Sequence, residues 1–286
     1  MIKPIALSAT HMECQSLKET VPVLTDLLAF EKLGEGPGQV KLKHPNTPWL
    51  LYVHEIGGNA PAKQMHNHWG VRVATTGEVD AAYDYLTSNR EKYRIKQIAK
   101  PLFNHGSYSL YFLEPGTNGW EIECYEAALR KESMARRAGG VYAPHWTTPY
   151  PAERFPGRGY VPQAFTHGTL ACEDMEASRK FYTETLGLET HQANPNVFYI
   201  KHPDTRCYVV CARRQDFKRL SPNFRFTITV DSQDEVLAAH DWLKASAKAR
   251  GISELADVQT SGSVSSFLVG DPDSNWWEVT SPNEIH

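Results

Sequence analysis

The chain has 286 residues, of which 41% are hydrophobic and 22% are charged, and its formal net charge is -3. This composition is typical of a globular chain with two domains of ordinary size, and the charge gives no reason to expect a nucleic-acid partner. No apolar run approaches the ~18 residues that suggest a membrane span. Five cysteines form no C-x-x-C pair, so we expect a reducing, cytoplasmic location.

Strand and helix patterns alternate along the chain in four similar stretches, called here repeats 1 to 4. Repeat 1 predicts a strand over 5–14, a helix over 17–28 and strands near 38–43 and 49–54. Repeat 2 predicts a strand over 67–73, a helix over 78–89 and strands near 95–100, 107–113 and 120–125. Repeat 3 begins with a strand over 167–173 and a helix over 175–184. Repeat 4 has a strand over 224–230, a helix over 233–246 and a last strand over 276–280. This order predicts an α+β fold of four βαβββ units with curved mixed sheets.

Short segments recur at a nearly constant distance. Lys43–Thr47 returns as Lys201–Thr205, a shift of 158 residues, and Asn118–Ile122 returns as Asn275–Val279, a shift of 157. Such self-similarity indicates a tandem duplication. We therefore predict one domain over 1–125, a second over 165–286, and a linker rich in proline and glycine over 126–164.

Alternation within the strands indicates which side chains share a face. In the strand over 67–73 the apolar side chains include Trp69, so His68 is predicted on the opposite, inner face. The same argument predicts inner-face positions for Tyr111, Glu121 and His167. Two histidines and one carboxylate on one face leave coordination positions open, an arrangement that suits ferrous iron.

Two motifs resemble the vicinal oxygen chelate superfamily, which includes glyoxalases, bleomycin-resistance proteins and type I extradiol dioxygenases. Residues Thr166–Asp174, followed by Phe181-Tyr182 and Leu186–Leu188, resemble the opening of one of its units. Residues Asp271–Glu278 resemble its closing hairpin. The resemblance covers nearly the whole chain outside the linker, and it implies a tandem two-domain member of this fold family, which hosts many reactions.

A third motif resembles the signature of type I extradiol catechol dioxygenases: His105 through Tyr111, then Glu114-Pro115, then Glu121. The gap from His105 to Tyr111 is shorter than in that family, and Thr117 stands where glycine is usual. The resemblance implies that Glu121 binds iron, that Tyr111 binds a substrate oxygen and that His105 handles protons.

Together these features predict an enzyme that uses molecular oxygen to open a catechol-like aromatic ring. The expected cofactor is Fe²⁺, ahead of Mn²⁺, Zn²⁺ or Ni²⁺, and the expected metal ligands are His68, Glu121 and His167. The expected partners are the small aromatic substrate and O₂, with no nucleic acid or membrane. A homo-oligomer stays possible.

Two alternatives remain open at this stage. The first is a lyase or isomerase similar to glyoxalase I, which would require a second carboxylate at the metal. The Cys207–Cys211 strand offers none, and Glu55 lies at the end of its strand. The second is a non-catalytic protein that binds a small molecule, similar to the bleomycin-resistance proteins.

The repeats are unequal in reactive groups. The first-strand ligand position holds histidine in repeats 2 and 3, but Ala9 in repeat 1 and Arg225 in repeat 4. The counterparts of His105, Tyr111 and Glu121 at a shift of 157 are Gly262, Leu268 and Glu278. One competent metal site and one silent copy are therefore predicted.

The third ligand depends on which repeats pair. If each domain closes on itself, His11 becomes the third ligand, although it lies two residues beyond the usual position. If repeat 2 pairs with repeat 3, and repeat 1 with repeat 4, then His68, Glu121 and His167 form a full set. The exchanged pairing also gathers every lost group into one abandoned site, so we predict His167 rather than His11.

Overall fold

The computed structural model describes residues 1–59, 67–126, 140–216 and 218–282. By its internal contacts the chain forms two compact units, Met1–His11 with Leu170–His286, and Met12–Thr169. They are called here the 1–11/170–286 unit and the 12–169 unit. No helix in the described residues combines the length and the apolar character needed to cross a membrane.

The described residues contain four α-helices: α1 (Leu17–Leu28), α2 (Thr76–Ser88), α3 (Met175–Lys180) and α4 (Gln233–Ser246). The bounds of α1 and α4 confirm the sequence prediction. Helix α2 begins two residues earlier than predicted, because Thr75 and Glu78 form a capping box that satisfies the first backbone N–H groups. The helix predicted over 175–184 was only partly right, since α3 continues as a π-helix over Phe181–Thr185.

The described strands are numbered in chain order. They are β1 (Ala6–Cys14), β2 (Glu31–Gly36), β3 (Gln39–Lys43), β4 (Leu50–Glu55), β5 (His68–Arg72), β6 (Gln97–Ile98), β7 (Leu102–Asn104), β8 (Ser107–Leu113), β9 (Gly119–Cys124), β10 (Ala164–Cys172), β11 (Glu189–Asn194), β12 (Val197–Lys201), β13 (Tyr208–Arg213), β14 (Arg225–Thr229), β15 (Glu254–Leu255), β16 (Gln259–Ser261), β17 (Val264–Gly270) and β18 (Trp276–Thr280). Strands β2, β7, β11, β12, β15, β16 and β17 were not predicted. The side chains of β2 and β7 are mostly exposed and lack the alternation of a half-buried strand.

The strands form two mixed sheets, as the α+β prediction requires. One has the order β15-β17-β18-β14-β1-β4-β3-β2, with β16 beside β17, and the other has the order β11-β12-β13-β10-β5-β9-β8-β6, with β7 beside β8. Within the 12–169 unit, β5 pairs with β10 antiparallel and with β9 parallel. Within the 1–11/170–286 unit, β14 pairs in the same manner with β1 and β18. Repeat 2 therefore pairs with repeat 3 and repeat 1 with repeat 4, which confirms the exchanged arrangement.

An aromatic core supports the strands of the 12–169 unit. Trp69, Trp120 and Phe165 alternate with the inner-face residues and are fully buried. Phe165 stacks on Trp49 with ring centroids 4.8 Å apart, and Phe30 meets Trp120 edge-on at 5.7 Å. Burying this apolar surface fixes the register of the strands, because a slip of one residue would turn the core side chains to the other face.

The segment expected to be a linker, 126–164, is described at residue 126 and from residue 140 onward, and residues 127–139 lie outside the described residues. Its described part packs within the 12–169 unit. The Tyr160 hydroxyl donates to the Leu27 carbonyl oxygen at 3.1 Å. Nε2 of the buried His44 lies 3.1 Å from the Pro162 carbonyl oxygen. These contacts give His44 a structural role.

Candidate metal centre

One row of residues crosses four neighbouring strands of the 12–169 unit. His167 on β10 is opposite Gly70 on β5, Gly70 is opposite Glu121 on β9, and Glu121 is opposite Tyr111 on β8. His68 lies two residues before Gly70 and therefore shares its face. The strand register thus collects the side chains that alternation had assigned to the inner face.

Three of these side chains converge on one point. Nε2 of His68 and Nε2 of His167 each lie 3.2 Å from Oε2 of Glu121. Their ligand atoms all lie within 4.8 Å of one another. Two ligand atoms bound at right angles to one ion, each at ~2.1 Å, lie about 3.0 Å apart. The two histidine–glutamate separations of 3.2 Å are close to that value, so these three side chains are a candidate ligand set for one divalent ion.

A missing side chain makes room for His167. A Cβ on Gly70 would lie 2.0 Å from Cε1 of His167 and 2.5 Å from its Nδ1, far inside contact distance. The imidazole therefore passes directly over the backbone of β5 to reach Glu121. In the other compact unit the corresponding pair is Ala9 opposite Thr227. In that unit the small residue, Ala9, is on β1 at the position of His167. The larger residue, Thr227, is on β14 at the position of Gly70.

Gly70→Ala should displace the imidazole of His167 and weaken metal binding by at least the ~10–100-fold that is typical when a ligand loses its support. The matched control is Thr227→Ala, which changes the corresponding position of the other unit and should leave metal content unchanged. Metal content after dialysis, measured by elemental analysis, checks both. Full metal retention by the Gly70 variant would contradict the placement of His167.

A β-bulge turns two consecutive residues of β10 towards the same face. The register between β10 and β5 shifts between Phe165 and His167, which leaves Thr166 as the extra residue. Its hydroxyl oxygen lies 3.1 Å from the Gly70 carbonyl oxygen and 3.1 Å from Nδ1 of His167. The bulge therefore supplies a polar contact to the imidazole nitrogen that faces away from Glu121.

The charges of the cluster stabilise each other. Burial by itself raises the pKa of Glu121, but hydrogen bonds from His167 and His68 outweigh it and hold that pKa well below its usual range. Burial lowers the pKa of His167, yet the carboxylates of Glu123 and Glu121 raise it to about 9. Because a metal-bound imidazole must be neutral, metal binding here would release protons.

Tyr111 and His105 form a short chain beside this cluster. The Tyr111 hydroxyl donates to Oε1 of Glu121 at 2.8 Å, and Nε2 of His105 lies 3.1 Å from the same hydroxyl oxygen. Burial raises the pKa of Tyr111, and the neighbouring Glu121 carboxylate raises it further. Tyr111 is therefore a neutral donor. His105 is exposed in the turn between β7 and β8, so it contacts both solvent and Tyr111.

The hairpin that carries Tyr111 and Glu121 is held at its turn by Glu114. One carboxylate oxygen accepts from the backbone N–H of Gly116 at 2.6 Å and from the Thr20 hydroxyl at 2.8 Å. The other accepts from the backbone and side-chain N–H groups of Asn118, at 3.0 and 2.6 Å. The Glu114-Pro115 part of the motif is thus structural, and it fixes the register in which Tyr111 meets Glu121.

The corresponding place in the 1–11/170–286 unit holds an ion pair instead. Nε of Arg225 and Nε2 of His11 lie 3.2 and 3.3 Å from Oε2 of Glu278. Burial lowers the pKa of His11 to about 4. Arg225 stands where His68 stands in the other unit, so its guanidinium supplies the positive charge that a metal would bring. Among the described residues, the group that could hold a metal ion is His68, Glu121 and His167.

The sequence did not predict the buried ion pair that lies beneath the cluster. Glu123 is fully buried and paired with Arg72 at 2.6 Å. Burial by itself raises the pKa of Glu123, but the charge of Arg72 outweighs it and lowers the pKa to about 2. A usable signal existed, since positions 72 and 123 are charged whereas their counterparts at a shift of 157 are Thr229 and Thr280.

The strand order and the two mixed sheets are those of the vicinal oxygen chelate fold, and the inward histidines and glutamate form a candidate metal centre. Residues 164–279 match the family model described as Glyoxalase/Bleomycin resistance protein/Dioxygenase superfamily. The match concerns this segment of the chain, and the whole chain has the vicinal oxygen chelate fold. The resemblance predicted from the sequence motifs is thereby confirmed.

Solved structures with the same fold include two that align over almost the whole chain. A candidate dioxygenase from Bacillus subtilis has a TM-score of 0.65 at 12% identity, covering 100% of this chain and 88% of its own. Glyoxalase I from Zea mays has a TM-score of 0.65 at 13% identity, covering 98% of this chain and 92% of its own. A search of curated protein sequences gives no significant match. At these identities the likeness concerns the fold.

Proposed function

We propose that this chain is an extradiol-type dioxygenase that holds Fe²⁺ through His68, Glu121 and His167 and opens a catecholic ring with molecular oxygen. The observation that carries the proposal is the hydrogen-bonded chain from His105 through Tyr111 to Glu121. A structural metal site would be closed by four protein ligands and would need no acid–base group beside them. A phenol and an exposed imidazole joined to one ligand indicate acid–base work at the metal.

The ligand set leaves room for substrate. Two imidazoles and one carboxylate occupy three positions of a six-coordinate ion, and the remaining positions stay available. When bound, ferrous iron supplies Lewis-acid polarisation of the two catechol oxygens and the redox capacity that dioxygen activation requires. The burial of Glu121 and His167 excludes water from the ligand side and so strengthens their hold on the ion.

Tyr111 and His105 would handle the substrate hydroxyls. Because its pKa is raised, Tyr111 keeps its proton and can move its hydrogen bond from Glu121 to a substrate oxygen as negative charge develops there. His105 is exposed and 3.1 Å from the phenol oxygen, so it can take the proton of a bound catechol and pass it to solvent.

Tyr111→Phe should keep the metal and turn over slowly. Losing one donor to a developing oxyanion costs on the order of 10²-fold in rate or more. Glu121 would lose one hydrogen bond but keep both imidazole neighbours, so metal content should stay close to that of wild type. Oxygen uptake at saturating catechol, normalised to bound iron, measures the effect. An unchanged rate per iron would remove Tyr111 from the proposed chemistry.

The proposal as a whole is tested with protein purified without air. Elemental analysis should find iron, and a panel of catechols should cause oxygen uptake with formation of coloured ring-cleavage products. Chelation of the iron should stop the uptake, and Fe²⁺ should restore it. Iron-loaded protein that consumes no oxygen with any catechol of the panel would defeat the proposal.

A glyoxalase-type isomerase is the alternative function, because glyoxalase I has the same fold. Such chemistry calls for two carboxylates at the metal. Among the described residues, the candidate group contains a single carboxylate, that of Glu121. The nearby carboxylate of Glu123 is engaged by Arg72. Turnover of a glutathione hemithioacetal with Zn²⁺ or Ni²⁺, in the absence of oxygen uptake with catechols, would favour this alternative.

A further inference from the structure

A buried ion pair lies directly beneath the candidate metal centre. Oε1 of Glu123 accepts from Nε and Nη2 of Arg72 at 3.0 and 2.6 Å and from the Thr166 hydroxyl at 2.9 Å. The same oxygen lies 3.6 Å from Nδ1 of His167. The side chains of Arg72 and Glu123 are 2% and 0% exposed, so neither charge is solvated.

Arg72 is itself held from several sides. Its Nη1 donates to the carbonyl oxygens of Val141 and Ala143 at 2.9 and 2.7 Å, and Nδ1 of His145 lies 2.9 Å from the same nitrogen. Its guanidinium also lies over the Tyr125 ring, 4.6 Å from the centroid. These contacts fix the guanidinium in one place, and through it they fix the carboxylate of Glu123.

Stability alone is a weak reason for keeping such a pair. Removing two charges from water costs more than their attraction often returns, and uncharged replacements are frequently tolerated. The chain itself contains one such replacement. In the 1–11/170–286 unit the corresponding strand pair is Thr229 opposite Thr280, and the bulge residue corresponding to Thr166 is Ser8. The Thr229 hydroxyl donates to the Ser8 hydroxyl at 2.8 Å, so neutral groups complete this layer.

The charged layer and the histidine occur together. In the 12–169 unit, which has Arg72 and Glu123, the residue after the bulge is His167. In the 1–11/170–286 unit, which has the two threonines, the residue after the bulge is Ala9. The two nitrogens of His167 face different partners. Nε2 lies 3.2 Å from the Glu121 ligand oxygen, whereas Nδ1 faces Thr166 and Glu123. A carboxylate behind the distal nitrogen of a metal-binding histidine fixes the tautomer and the ring orientation.

We propose that Glu123 is a positioning residue for His167: together with the Thr166 hydroxyl, which donates to it, Glu123 fixes the Nδ1 side of the ring so that Nε2 faces the metal, and Arg72 holds the Glu123 carboxylate in place. This inference rests on the proposed metal site and goes beyond it. Glu123 acts through His167 and does not bind the metal. The 141–145 segment, through Arg72, thereby becomes part of the support of the centre.

The test is an anaerobic titration with Co²⁺ of wild type and three variants. Glu123→Gln should bind about 10–100-fold more weakly than wild type. The double variant Arg72→Thr with Glu123→Thr should do the same and should fold, because the chain already uses that pair at Thr229 and Thr280. Thr280→Val, in the corresponding layer of the other unit, should bind Co²⁺ as wild type does.

A second readout separates positioning from plain structural support. The Co²⁺ complex of wild type should show an exchangeable imidazole N–H proton resonance from His167, shifted by the metal, and Glu123→Gln should move or broaden it. Thermal unfolding of the metal-free double variant should stay cooperative. A role limited to structural support would lower the unfolding temperature and leave the resonance of the remaining complex in place, which would overturn the inference.

The outcomes also distinguish this inference from the proposed function. If wild type binds no Co²⁺, the proposed metal site fails and the inference fails with it. If wild type binds Co²⁺ and Glu123→Gln binds it equally well, the site stands and the positioning role is overturned. If Glu123→Gln loses Co²⁺ as completely as Glu121→Ala does, Glu123 is a direct ligand and the positioning role is likewise overturned.

Discussion

Glu121→Ala should yield a folded protein that retains no metal. The side chains of His68, His167 and Tyr111 all contact this carboxylate. Of the three candidate ligands, Glu121 is the one that carries a negative charge. Loss of a direct ligand should exceed the ~10–100-fold weakening that is typical of an outer partner. The fold should survive because the core is built from the opposite face of β9, where Trp120 and Ile122 are fully buried.

The matched control is Glu278→Ala, which removes the corresponding carboxylate of the other compact unit. Its neighbours Arg225 and His11 would lose their ion-pair partner, but their positions offer no competing metal set. Metal content should therefore stay at the wild-type level. The measurement is elemental analysis of both variants after dialysis, with circular dichroism as the check on folding. Metal loss on replacing Glu278 alone would overturn the assignment of that site as silent.

His167→Ala should abolish metal binding and oxygen uptake, whereas His11→Ala should keep both. His167 reaches Glu121 across Gly70, while His11 reaches Glu278 in the other unit. Removing the imidazole leaves a two-ligand set that holds a divalent ion weakly, and the loss should again exceed ~100-fold. Because both histidines are buried and each contacts a glutamate, the pair controls for a general effect of deleting a buried imidazole.

Both variants should be measured in the same Co²⁺ titration and the same oxygen-uptake assay with a catechol. Folding is checked by the midpoint of thermal unfolding in the absence of metal. Should His11→Ala lose the metal and His167→Ala retain it, the candidate centre would have to be rebuilt around the other unit. If both variants lose the metal and the midpoints of their thermal unfolding fall by a similar amount, the metal loss would be due to unfolding.

The sequence by itself determined the repeat, the α+β class and the face on which each reactive side chain lies. Alternation assigned His68, Tyr111, Glu121 and His167 to one face because a strand has a period of two and its apolar set is easily identified. The bounds of α1 and α4 followed from their helical pattern in the same manner. Comparing positions 157 residues apart also favoured the exchanged pairing of repeats, because that pairing places every missing reactive side chain in one site.

What only the tertiary structure decided lies between strands that are distant in the chain. The bulge at Thr166, the passage of His167 over Gly70 and the burial of Glu123 against Arg72 all depend on strand register, which no local pattern encodes. Glu123 is the clearest case. A glutamate on a half-polar strand is usually solvated, and its burial follows from the approach of Thr166 from β10 and from Arg72, which the 141–145 segment holds in place. Local periodicity sets the face of a side chain, but its depth is set by what packs over it.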